Sequence, residues 1–394
     1  MTLTYPEPGI ISPAQAAAEA RARDLALFTP PDSLDNYVAK PVDILLDRIL
    51  ALGSSDLHLY ADTTPWTSLF GQTIQMSQTV LDWKRVAGLL RDMVSGEAWE
   101  QFARTHRLDF SYATPLSRFR AHFGVSYGVP YGVFRAIPNT VPDIEDLGVP
   151  DIIKTFSEFN SGIVLFVGVT GSGKSSLQAA LLKKKNAEDA HKIITIEEPI
   201  EFRHQHNKSL ITQREVGPGR DVASFAVGVQ DAMREAPDMI LIGEMRDPET
   251  VSAALSAASS GHLVFSTLHA ESTADAPTRI LDGTPEGRVP EVRAQLSRTL
   301  RAVVYQRLLP AKGGKGRVAA TEVLIMNQAI GNMIRNNELE GIAGQLSATD
   351  TGSIPFENSL AKLVRDGKVT ESVAQRAEIR RGSLKEKLKA MAER

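Results

Sequence analysis

The chain has 394 residues, 42% hydrophobic and 23% charged, with a formal net charge of -3 and no cysteine. That balance fits a globular protein long enough for two or three domains, and it excludes disulfides, zinc–thiolate sites and thiol nucleophiles. Charge this close to neutral excludes a polyanion partner recognised by the molecule as a whole, and nucleic acid would need a local basic surface that is not evident around the motifs below.

Residues 1–35 read as a peripheral arm, with a short alanine-rich helix at 14–27 bracketed by prolines. They lack the basic-then-apolar layout of a secretory signal, and no run approaches the ~20 apolar residues that span a bilayer, so the expected location is the cytoplasm. Residues 36–138 read as a small α+β domain. Val42, Ile44, Leu45, Leu46, Ile49, Leu50 and Leu52 give an apolar helical face, and Asp56-Leu57-His58-Leu59-Tyr60 alternates as a strand. A helix is expected over 82–102, and strands at 107–112, 117–124 and 131–136. Residues 139–150, rich in proline and acid, read as a linker.

Residues 151–330 change character. Apolar runs at 163–167, 192–196, 238–242 and 262–266 alternate with helical stretches, and strands without polar alternation imply a parallel sheet covered on both faces. Residues 331–394 read as short helices. The tail from 380, where basic residues outnumber acidic ones, reads as a solvated terminal helix, with contact to a partner or anionic surface as the second reading.

The chemistry is concentrated in the α/β region. Gly168-Val169-Thr170-Gly171-Ser172-Gly173-Lys174-Ser175 matches G-x-x-x-x-G-K-[ST] at every fixed position, between an expected strand and a helix running from Ser176. Glycines let the backbone N–H groups wrap phosphate oxygens, Lys174 adds charge at the β/γ phosphates, and Ser175 offers an oxygen to Mg²⁺. ATP or a close relative is the expected ligand. The run 239–243 delivers Glu244 to a strand's C-terminal end, the edge where parallel α/β sheets bind ligands, within reach of the metal shell. Glu197, Glu198 and Glu201 follow another strand, and a carboxylate there can orient or deprotonate an attacking water. Thr267 and His269 end a third strand and can sense a γ-phosphate by hydrogen bonding. His204 and His206 have metal-like spacing without a third ligand, so no metal is expected beyond the nucleotide's Mg²⁺. In the small domain Arg118, Arg120 and Arg135 carry rigid forks of donors suited to phosphate, and one placed across a subunit boundary would act as a trans finger.

These motifs together resemble the secretion-ATPase superfamily (PilT/VirB11-like, GspE family). Residues 195–202 resemble its Asp box, with Glu198 where aspartate is common. Residues 213–216 resemble the motif after that box, 237–247 its Walker B, and 261–269 its His box, with Ser55-Asp56-Leu57-His58-Leu59 and Arg118/Arg120 fitting in the N-terminal domain. The resemblance implies an α/β fold: a RecA-like P-loop NTPase domain, preceded by a PAS-like α+β domain and followed by a small helical region. It implies that Lys174 and Ser175 hold phosphates and Mg²⁺, that Glu201 best matches the general base with Glu197 as the alternative, and that Glu244 organises metal and water. His262 and His269 would belong to the sensor region. Arg118, Arg120 and Arg135 would approach the nucleotide from the small domain, some of them in trans. The implied assembly is a homohexameric ring that hydrolyses ATP to move inner-membrane secretion components, meeting the membrane only through partners such as an adaptor ATPase.

Within that superfamily, departures point toward the DotB-like branch of Dot/Icm type IVB secretion and TraJ-like conjugation, with pilus retraction as the alternative. Residues 125–131 carry no second basic cluster, residues 331–338 lack an Ala-Ile-Arg-Val-Gly-Glu-like helix, and the N-terminal arm is long. A phosphotransferase is disfavoured by the His-box segment and the arginine-bearing first domain. A nucleotide-gated scaffold is disfavoured by the carboxylate set, and a helicase by the lack of a basic–aromatic strip.

Overall fold

A computed structural model describes residues 40–392, apart from 70–71, 138–139, 218–219, 315 and 348–350; the arm expected over 1–35 lies outside the described residues. The chain divides into two compact units, one holding residues 40–137 and the other residues 140–217 and 221–392.

The first unit is an antiparallel sheet of six strands, β1 (Asp56–Leu59), β2 (Trp66–Leu69), β3 (Gln72–Gln75), β4 (Arg107–Ala113), β5 (Arg118–Ser126) and β6 (Val129–Ile137), in the order β3-β2-β1-β6-β5-β4. Period-2 alternation sends Leu57, Leu59, Phe110, Phe119, Phe123 and Phe134 to one face, where they pack with Val42, Leu46, Val86, Leu90 and Phe102 of the helices. The single helix expected over 82–102 is two helices, Trp83–Arg91 and Gly96–Thr105, because Ser95 leaves helical geometry and caps the second by accepting the Ala98 N–H at 3.2 Å. The pair β2–β3 has no counterpart in the sequence reading; four-residue strands, one of them wholly exposed, leave too little pattern.

The second unit is a seven-stranded sheet. Its strands are β7 (Gly162–Val167), β8 (Lys192–Glu197), β9 (Leu210–Glu215), β10 (Met239–Ile242), β11 (Leu263–Leu268), β12 (Leu300–Pro310) and β13 (Arg317–Ile325), in the order β13-β12-β7-β11-β10-β8-β9. All neighbours are parallel except β12 and β13. Every residue of β7, β10 and β11 is buried, as double-sided coverage requires. Ile163, Leu165 and Val167 point into one core and Val164 and Phe166 into the other.

The stretches before 151 and after 330 both pack against the sheet. The stretch after 139 is not a free connector: Ile144 and Val149 are buried with Phe156 and Leu181 in the sheet's second core. The C-terminal helices share a core with the sheet. Ile334, Phe356, Leu360 and Leu384 are fully buried in the same cluster as Ile163 and Leu165. The basic tail forms the helix Ser383–Ala392, anchored through Leu384 with Leu388 and Met391 against that core. No helix among the described residues is long and apolar enough to cross a membrane.

Candidate active site

Strands β7, β11, β10 and β8 are consecutive neighbours and finish at one edge of the sheet: Val167 pairs with Leu268, and Ile242 with both Ser266 and Ile196. The segments that leave those ends carry, in order, the phosphate loop, His269, Glu244 and the acids 197–201. Residues far apart in sequence therefore meet on one rim, at the C-terminal edge where such sheets bind ligands.

The helix Lys174–Glu188 begins directly from the loop. Gly173 is its N-cap at φ 90°, and no side chain caps the first turn, so its N–H groups remain available to an anion. Gly168 has φ 140°, and a Cβ there would run into the Gln306 backbone oxygen. Lys174 Nζ donates to the carbonyls of Gly168 at 2.8 Å and Val169 at 3.0 Å, holding the ammonium inside the loop's curve. Burial pushes that ammonium below its usual range, while the charges of Glu244 and Glu201 pull it back up. Thr170 and Gly171 are exposed at the mouth, Ser172 is buried beneath, and Ser175 and Ser176 sit half-buried on the first helical turn.

Glu244 is the electrostatic centre. Its carboxylate meets His269 Nε2 at 3.1 Å and Arg246 Nη2 at 2.6 Å, and Arg246 also reaches Glu198 at 3.5 Å. Both Glu244 oxygens are thus engaged with nitrogen groups, which suits contact with a metal's water shell rather than with the ion. With the Ser175 hydroxyl beside the phosphate loop, the donor set is oxygen only, as Mg²⁺ requires. Arg246 was not among the residues singled out from sequence. Its position two after Glu244 puts it back on the same side of an extended segment, a signal the motif itself contained.

Glu197 ends β8 largely buried. Its Oε1 accepts from Thr195 Oγ1 at 2.7 Å and Gln213 Nε2 at 3.2 Å, and its carboxylate also accepts from the Glu201 backbone N–H. Burial raises its pKa to about 6, against those hydrogen bonds. Glu201 is exposed, near enough to Lys174 and Glu197 for its charge to act on both.

The expectations for His262 and Thr267 are corrected. His262 precedes β11 and sits at the opposite edge from His269, roughly 20 Å away along six strand residues. Its ring bonds Ser260 Oγ at 2.9 Å and the Ala257 carbonyl at 3.0 Å, so it belongs to a turn and not to a sensor. Thr267 donates its hydroxyl to the Gly243 carbonyl at 2.6 Å, which fixes the approach to Glu244 and removes it from contact with phosphate. His206 Nδ1 accepts the Ile211 N–H, and burial pushes His204 down to about 4; neither ring faces a shared centre.

In the first unit, Arg118 and Arg120 alternate onto the sheet face opposite the apolar core, and Arg120 stands directly across from Arg135. Arg135 is held by Asp56 of the neighbouring strand β1 at 2.7 Å.

The family model described as type II/IV secretion system protein matches residues 133–376. The type IV pilus retraction ATPase PilT of Pseudomonas aeruginosa is 41% identical, over 76% of this chain and 86% of its own length. The crystal structure of the pilus retraction motor PilT with bound ADP superposes at a TM-score of 0.78 with 36% identity, covering 89% of this chain and all (100%) of that one. The X-ray structure of the Legionella pneumophila ATPase DotB gives 0.77 with 26% identity, covering 87% and 96%. Fold does not separate these two relatives. Identity does, and it does not support the DotB-like branch to which the sequence departures pointed.

Proposed function

The chain belongs to the type II/IV secretion system protein family, and from that premise we propose that it is a ring-forming motor ATPase that drives type IV pilus retraction. It hydrolyses ATP, as its named relatives do. The retraction reading is supported by 36% identity to the pilus retraction motor against 26% to DotB in superposed structures. In it the first unit is a PAS-like module, the second a RecA-like engine, the ring a homohexamer, and the membrane is met through platform partners from the cytoplasmic side.

The observation that carries the chemistry is the convergence of Lys174, Glu244, His269 and the 197–201 acids on one rim. In the proposed mechanism the loop from Gly168 to Ser176 binds the triphosphate of ATP through backbone N–H groups and Lys174. Ser175 would hold Mg²⁺ directly and Glu244 through its water shell, and the ion when bound would neutralise charge on the phosphate oxygens. Glu201 orients and deprotonates the attacking water. Glu197, by accepting the Glu201 N–H, holds that segment in place. His269 and Arg246 fix the Glu244 carboxylate, and Arg118, Arg120 and Arg135 supply positive charge to the transition state.

Purified Lys174→Ala and Glu201→Gln proteins test the site. The first is expected to lose nucleotide binding and turnover. The second is expected to bind normally with kcat reduced about 10²–10⁴-fold. Wild-type turnover in either removes that residue from the mechanism. A null strain of the source organism tests the biology: it should keep surface pili that fail to retract, whereas intact retraction with lost effector secretion would restore the type IVB reading.

A further inference from the structure

Gln306 lies on β12, the strand flanking β7 on the side away from the catalytic acids. Tyr305 pairs in register with Val167, so Gln306 stands beside Gly168, the first residue of the phosphate loop. Its side chain is buried, at 5% relative exposure. The amide donates from Nε2 to the Ser172 carbonyl at 2.8 Å, and only the NH₂ end of the group can do so. The other end, Oε1, has no hydrogen-bond partner among the described residues.

The loop is moulded around this one residue. A Cβ on Gly173 would stand 2.6 Å from Gln306 Nε2, and a Cβ on Gly168 would run into the Gln306 backbone oxygen. Gly168 is therefore required by the approach of the Gln306 backbone as well as by its own backbone angle, and a Cβ on Gly173 would displace the Gln306 amide. Ser172 lies between them, with its own hydroxyl buried and unpaired, so the amide of Gln306 is the side-chain donor that fixes this peptide from below.

We propose that Gln306 is a positioning residue for the phosphate loop, holding the Ser172 peptide so that the loop's N–H groups face the phosphates. This rests on the reading of residues 168–175 as the triphosphate site. Because Oε1 makes no bond, the effect of the side chain resides in a single donated hydrogen bond. A variant that removes only the donor must then behave like one that removes both polar ends.

The experiment measures fluorescent ADP binding and ATP turnover of the full chain from pH 5.5 to 8, each variant being expressed as a ratio to wild type at the same pH. Gln306→Met is expected to weaken nucleotide binding roughly tenfold, the scale of a buried carbonyl left unpaired, and to raise KM more than it lowers kcat. Gln306→Glu is expected to match it at pH 8, where a carboxylate faces the Ser172 oxygen. It should recover toward wild type as pH falls, because a protonated carboxyl can donate. A purely structural defect gives no such reversible recovery, so a poorly folded Met variant does not obscure the result. A Glu variant equally impaired at every pH, or both variants within twofold of wild type throughout, would overturn the proposal. Lys174→Ala is run alongside: if it binds nucleotide normally, the loop reading fails and the proposal falls with it. If it alone loses binding, only the Gln306 assignment fails.

Discussion

Glu197 is a carboxylic acid whose surroundings oppose its charge. Burial lifts its pKa to about 6 from an ordinary 4.5, so between those values the native state holds a proton that the unfolded chain releases. Stability falls with rising pH wherever the native state binds more protons. The native protein therefore loses stability as pH rises from 4.5 through 6, and the loss is complete above that. Glu197→Gln lacks this titration, so from pH 4 to 7 it should gain about 2 kcal/mol relative to wild type in denaturant unfolding. A constant difference across that range would show that the acid is not held neutral. The same scale shows what sequence could reveal. Lys174, Glu244 and His269 stand out because motif spacing names them. His262 looked equivalent to His269 by motif, yet a strand between the two places them at opposite edges. Gln306 was missed because it acts through a neighbour that only the folded sheet supplies, whereas Arg246 stands two residues from its partner Glu244 and was legible in the motif.

At the scale of elements, the phosphate loop is set between β7 and its helix by backbone geometry that tolerates few side chains. Gly168→Ala meets both an unfavourable φ of 140° and the Gln306 carbonyl, and is expected to abolish nucleotide binding. Gly171 has φ 76° with open space around its Cβ position, so Gly171→Ala should cost only the ~1–2 kcal/mol of left-handed backbone and retain measurable affinity. Equal loss in both variants, read by equilibrium nucleotide titration, would contradict the close packing against β12. The central parallel strands were legible because both of their faces are apolar. The edge strands β3, β9 and β13 were not, since pairing on one side leaves mixed polarity that loops share, and β2 and β12 were not because one is only four residues long and the other is interrupted by Arg301, Gln306 and Arg307.

For the whole molecule, the C-terminal helices are structural members of the second unit's core. Phe356 packs edge-on against Tyr305 with ring centroids 5.2 Å apart, and Glu322 on β13 accepts from the Thr273 N–H at 2.8 Å and the Phe356 N–H at 3.4 Å. Ending the chain before Phe356 exposes the cluster that holds Ile163 and Leu165. The product should be insoluble or molten, lacking a cooperative thermal transition. Leu360→Ala should cost about 2–5 kcal/mol in the full chain. A truncated protein that melts cooperatively with nucleotide-dependent stabilisation would show instead that the helices are dispensable.

The shared rim has a metric consequence. From β7 to β8 there are three inter-strand steps, about 14 Å in all, so the lysine's strand and the acids' strand can never lie side by side. Contact between Lys174 and Glu201 depends on the short stretch after β8 folding back over the two strands between them. Interstrand spacing acts as a gauge block, so the catalytic distance is set by the path of that stretch and not by the strands beneath it.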